Sequence, residues 1–161
     1  MGRVGRQECP QPKQLAKAGG ERLRLTDFVV VDASVWVARL VPQDAFHSAS
    51  RAWIDQHLSQ QGFLLSPALL LVEVAGAVSR RTGDSDLAQR ASDSLKKLPG
   101  LRLVEMGRTL VQESARLAAD LGLRGADAFY VALAAQLKLP LITLDDDQRN
   151  RSIAVIQTLI L

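Results

Sequence analysis

The amino-acid sequence predicts an α/β fold with a parallel sheet of four to five strands. Three observations predict it: short, wholly apolar runs that suit buried strands, amphipathic segments of helical length alternating with them, and glycine or proline at several junctions. Phe28-Val29-Val30-Val31 is the first run. It has no polar alternate, so it reads as a strand buried on both faces, and it ends at Asp32. Ala49, Ala52 and Trp53 mark one face of a helix over about 45–60, and Phe63-Leu64-Leu65 is a second strand. Pro67 suits the first turn of a helix over 67–81, whose apolar residues run all round and predict burial.

Gly83 is placed to close that helix, and Leu87, Ala91, Leu95 and Leu98 form the stripe of the next. Pro99-Gly100 stops it, and Leu101 to Val104 is a third strand. Thr109 can cap a helix with the inner stripe Leu110, Leu117 and Leu121, ended by Gly122. A further helix runs from about Ala126 to Leu137, Leu139 to Leu144 is a fourth strand, and Ile153 to Ile156 is a candidate fifth.

The 161 residues suit one domain, read as 26–161, preceded by a flexible basic tail over 1–25. The tail carries Arg3, Arg6, Lys13, Lys17, Arg22 and Arg24 against Glu8 and Glu21, which more than accounts for the net charge of +3. The remainder is close to neutral, so overall basicity says nothing about nucleic-acid binding by the folded body. Cys9 is the single cysteine, which excludes an internal disulfide and a thiolate cluster. No apolar run is long enough to span a membrane and no signal-peptide pattern opens the chain, so the sequence reads as cytoplasmic.

Four acids stand where chemistry is expected. Asp32 and Asp145 follow strands, Asp127 opens a helix, and Glu73 sits within an apolar helix with no Lys or Arg between 63 and 79. A carboxylate buried without a counter-charge is costly, so Glu73 needs a reason to be there. Ligands of parallel α/β sheets lie beyond the carboxyl ends of the strands, where Asp32 and Asp145 emerge. Oxygen donors with no His or Cys at metal spacing select Mg²⁺ or Mn²⁺, and such an ion suits phosphodiester hydrolysis by an activated water. Ser34 and Thr143 flank two of these acids as candidate hydrogen-bonding supports.

Taken singly, Asp127 suits a helix cap and Asp32 and Asp145 suit turns. Taken together, the stretches 29–34 (Val-Val-Val-Asp-Ala-Ser), 72–77 (Val-Glu-Val-Ala-Gly-Ala), 126–134 (Ala-Asp-Ala-Phe-Tyr-Val-Ala-Leu-Ala) and 141–145 (Leu-Ile-Thr-Leu-Asp) resemble the four motifs of PIN domains, in order. The resemblance implies a three-layer α/β/α fold, Mg²⁺ or Mn²⁺ as cofactor, and endonucleolytic cleavage of RNA, with Asp32, Glu73, Asp127 and Asp145 as catalytic residues holding the metal or its waters. The size resembles the VapC branch, which implies the toxin of a type II toxin–antitoxin pair, a homodimer and a cognate antitoxin. The run Asp145-Asp146-Asp147 departs from the pattern, and Asp145 keeps its Thr-x-Asp spacing.

Arg39, Arg80, Arg81 and Arg124 are the candidate RNA contacts, and Arg124 is also a possible partner of Glu73. His47 and His57 read as surface residues, too far apart on one helix to share a metal. Trp36 and Trp53 read as packing residues rather than base-stacking platforms. The rival functions are a catalytically inactive PIN-fold module binding RNA or protein, and a receiver-like domain phosphorylated on Asp32. Against the second, position 34 is Ser, where an Asp-x-Asp nucleophile motif has its second acid, and no Gly-rich phosphate loop is present.

Overall fold

The computed structural model describes residues 27–161. The basic stretch 1–25, with Cys9, lies outside the described residues.

Five parallel strands form one sheet in the order β3-β2-β1-β4-β5: β1 (Phe28–Val31), β2 (Phe63–Pro67), β3 (Leu101–Val104), β4 (Leu141–Ile142) and β5 (Thr158–Leu159). Seven helices connect them: α1 (Ala33–Leu40), α2 (His47–Ser59), α3 (Leu70–Thr82), α4 (Ser85–Lys96), α5 (Arg108–Leu121), α6 (Gly125–Leu137) and α7 (Asp146–Ser152). All four residues of β1 are buried, and because successive side chains point to opposite faces, both faces of the sheet must be covered. Helix α6 lies across β1, β2 and β4 with α5 against it; α1 to α4 form the other packed series, with α2 on β2 and α4 on β3. The result is the expected α/β/α arrangement. No helix among the described residues is long and apolar enough to cross a membrane.

The core is aliphatic, with Trp36 and Tyr130 as its largest fully buried side chains. Trp36 is a packing residue with a polar handle: its Nε1 donates to Ser66 Oγ at 3.2 Å, and Ser66 Oγ donates to the Val31 carbonyl at 2.6 Å. One buried hydroxyl therefore ties α1 to β2 and to the last residue of β1, immediately before Asp32. Gly83 and Gly122 close α3 and α5 in left-handed conformations with φ of 70° and 65°, as their positions in the sequence anticipate.

Several boundaries differ from the sequence reading. Pro67 ends β2 instead of opening α3, which starts at Leu70; an extended proline is tolerated at a strand end. Helix α3 is not buried all round, because Val72 is 69% exposed. In α4 the inner face is Ala88, Ser92 and Leu95, and Leu87 is exposed. Gly107, not Thr109, precedes the first turn of α5. The fourth strand contracts to two residues, 146–152 form a helix that the sequence reading left out, and the fifth strand is at 158–159, with exposed Ile153 and Val155 outside it. His47 and His57 are partly enclosed: His47 Nδ1 lies 2.9 Å from the Ala38 carbonyl oxygen, and His57 stacks on Trp53.

Candidate functional site

The strand order places a reversal between β1 and β4. From β1 the chain moves outward to β2 and β3, then returns past β1 to form β4 and β5. A crevice opens beyond the carboxyl ends of two neighbouring strands at such a point, because the connections leave them in opposite directions. Asp32 follows β1 directly and Asp145 follows β4 after Thr143 and Leu144, so both acids stand at that crevice. Glu73 enters from the first turn of α3 and Asp127 from the first turn of α6. All four line one open cleft of about 990 Å³, together with Ser34, Arg80, Arg81 and Arg124.

Each acid has its own support. Asp32 caps α1: its Oδ2 accepts from the Ser34 amide at 2.8 Å, and its Oδ1 accepts from Gln148 Nε2 at 3.3 Å. Its carboxyl stands above the usual range because burial disfavours the charge, and the Ser34 and Gln148 hydrogen bonds oppose that shift only in part. Glu73 is also raised by burial, although Tyr130 donates a 2.6 Å hydrogen bond to its Oε2. Asp127 is raised by burial against the pull of Arg124. Asp32 and Asp127 raise Glu73 further, and Asp32 and Asp145 do the same to Asp127, so the negative charges crowd one another.

Asp145 differs. Its partial burial is outweighed by the backbone amide of Gln148, which donates to Oδ1 at 3.0 Å, and by Arg124, so its carboxyl is held below the usual range. Asp145 also caps α7, which explains why this acid and not Asp146 or Asp147 faces inward: the latter two are exposed and paired with Arg149 and Arg151 on their own helix.

Ser34 supports the Asp32 carboxyl through its side chain as well as its amide, and Ser34 and Thr143 together also hold the backbone. Ser34 Oγ accepts from the Leu144 amide at 3.0 Å and lies 3.5 Å from Thr143 Oγ1, which accepts from the Asp145 amide at 3.0 Å. The two hydroxyls join the turn after β4 to the start of α1, fixing Asp145 relative to Asp32. Among the arginines, Arg124 does not pair with Glu73: its Nε donates to Asp127 Oδ2 at 2.7 Å and its Nη2 to Asp145 Oδ2. Arg81 is tied to Asp44 at 2.5 Å across the cleft wall. Arg80 lines the cleft with an exposed side chain, whereas Arg39 is paired with Asp55 and does not line it.

Two residues of the site are absent from the sequence-based set. Tyr130, seen only as part of a motif, is the partner that a buried Glu73 requires, and its hydroxyl is pushed to a higher pKa by burial and by that carboxylate. Gln148 is fully buried in α7 and donates to Asp32 Oδ1 and, at 3.3 Å, to the Asp127 carbonyl, while its own Oε1 has no partner. A glutamine three residues after a helix-capping Asp was the available signal, but it becomes visible only once 146–152 is known to be helical.

The donor set is oxygen-only, crowded with negative charge and open to solvent on one side, which fits a hard divalent cation. Among the described residues no group of three or more His, Cys, Asp or Glu side chains is drawn together as a ready-made ligand set. The Arg124 guanidinium spans Asp127 and Asp145.

The fold has solved relatives. Residues superpose on VapC20 of Mycobacterium tuberculosis, a sarcin-ricin loop cleaving toxin, with a TM-score of 0.64 and 20% identity, over 76% of this chain and 93% of that one. VapBC2 of Rickettsia felis, solved with a DNA fragment from its promoter, gives 0.61 and 13% over 83% and 98%. FitAcB of Neisseria gonorrhoeae gives 0.59 and 19% over 81% and 95%. No curated protein sequence matches the chain. The PIN domain model matches residues 29–153, from β1 to just past α7 and across all four acids, and on that match the chain belongs to the PIN domain family.

Proposed function

We propose that this protein is a Mg²⁺- or Mn²⁺-dependent endoribonuclease, the toxin of a type II toxin–antitoxin pair. The observation that carries the reading is the convergence of Asp32, Glu73, Asp127 and Asp145, contributed by four separate elements, on one cleft at the β1/β4 reversal. A structural role does not account for it: burial and mutual repulsion raise three of the four carboxyls, a cost that a fold has no need to concentrate in one place. A divalent cation bound there supplies positive charge to a phosphodiester oxygen and acidity to the attacking water.

The chain's own residues do the rest. Asp32, Asp127 and Asp145 would hold the cation, with Glu73 as a further ligand, direct or through water. Gln148 and the Ser34 amide keep the Asp32 carboxyl from turning, and Tyr130 aims Glu73. Arg80 and Arg81 offer positive charge along one wall for neighbouring phosphates. The likeness to VapBC2 and FitAcB supports an antitoxin partner, and a homodimer acting in the cytoplasm belongs to the same proposal.

The test is cleavage of a mixed cellular RNA pool by the purified protein with Mg²⁺, with Mn²⁺ and with EDTA, beside Asp32→Asn and Asp127→Asn. Metal-dependent cuts that disappear in both variants are expected. Equal behaviour of wild type and variants would leave the acids structural and favour an inactive module that binds RNA or protein.

A further inference from the structure

We propose, resting on the metal-dependent reading above, that Arg124 is a built-in occupant of the cation position: its guanidinium holds Asp127 and Asp145 together until a divalent cation displaces it, and the released side chain then serves an RNA phosphate. Arg124 bridges two carboxylates that come from different elements, one at the start of α6 and one capping α7. Its side chain is 66% exposed, so it reaches the pair from the solvent side of the cleft. It is followed by Gly125, beside which there is open space, and no hydrogen bond or ion pair other than those to the two carboxylates holds the guanidinium among the described residues. The neighbouring cations differ: Arg81 is bound to Asp44, which is not one of the four acids, and Arg80 makes no ion pair among the described residues.

A guanidinium keeps its charge at any ordinary pH, so it cannot yield its place by losing a proton and has to move. A divalent ion and Arg124 therefore compete for the Asp127 and Asp145 oxygens. The arginine is not consumed by losing that competition. Its planar fork matches the oxygens of a phosphodiester as well as those of a carboxylate, and the substrate brings such a group to the same cleft. Metal and RNA then promote each other's binding, because each gives the other a free partner.

The test is Mn²⁺ binding to the full chain without RNA, followed by the loss of the free-ion paramagnetic resonance signal, for wild type, Arg124→Gln and Arg80→Gln. Thermal melting checks that both variants fold. Arg124→Gln is expected to bind Mn²⁺ on the order of fivefold more tightly, the scale of one exposed ion pair, with Arg80→Gln much closer to wild type. Unchanged or weaker binding in Arg124→Gln, or an equal gain in Arg80→Gln, would overturn the exchange while leaving the metal site intact. Absence of Mn²⁺ binding in all three would overturn both the exchange and the metal-dependent reading.

Discussion

Gln148 Nε2 stands 3.3 Å from Asp32 Oδ1, joining two residues 116 positions apart, and the same nitrogen donates to the Asp127 carbonyl. One buried amide thus connects the end of β1, the start of α6 and α7. Its rigidity matters because Asp32 and Asp127 repel each other and, in the absence of a cation, only neutral donors and Arg124 restrain them.

Gln148→Leu keeps the volume and removes both hydrogen bonds, leaving the Asp127 carbonyl and Asp32 Oδ1 each short of a donor. The expected loss is about 1–3 kcal/mol of stability by urea denaturation, with a larger proportional fall in kcat than rise in KM. Unchanged kcat would show that Asp32 is positioned without Gln148.

Asp32→Asn is expected to abolish cleavage and stabilise the metal-free protein at neutral pH. The folded-state pKa of Asp32 is raised, so its neutral form favours folding; that contribution is complete below the unfolded pKa and is lost as pH rises through the folded one. The difference in Tm between Asp32→Asn and wild type in EDTA should therefore grow from acid to neutral pH. A constant difference across that range would contradict the strained carboxylate.

Tyr130→Phe removes the hydroxyl that donates to Glu73 at 2.6 Å. With that donor gone, the charged form of Glu73 loses support and its already raised pKa rises further. The acid limb of the cleavage rate should move to higher pH, and stability should fall by about 1–2 kcal/mol. A lower rate with an unmoved acid limb would limit Tyr130 to packing.

Ser66→Ala breaks the link from Trp36 to the Val31 carbonyl and leaves two buried polar groups unpartnered. The expected cost is about 1–3 kcal/mol, read by thermal or urea unfolding, with little change in Mn²⁺ affinity if Asp32 keeps its amide cap. Ser34→Ala should behave in the opposite way. It frees the Leu144 amide at the cleft and should weaken metal binding more than it lowers Tm.

The sequence by itself determined the sheet class and singled out the four acids that line the cleft. Those features are local: an all-apolar, β-branched run such as 28–31 suits a strand covered on both sides, and an acid at the end of such a run or inside an apolar helix shows its cost without reference to distant residues. It also placed the closing glycines of α3 and α5, whose positive φ is a property of a single residue.

Tertiary structure alone decided who meets whom. The partner of Glu73 is Tyr130 and not Arg124, because Tyr130, on the buried side of α6, reaches the Glu73 carboxylate with its hydroxyl, while Arg124 precedes the first turn of that helix and turns to Asp127 and Asp145. The helix 146–152 is short and polar on its exposed side, so its pattern is weak, and it forms because Asp145 caps it and Gln148 and Ser152 are buried beneath it. Pro67 likewise reads as a helix start by local preference but is held in β2 by its place beside Val104 in the sheet. Pairings of this kind depend on contacts between residues tens of positions apart, which local sequence pattern does not encode.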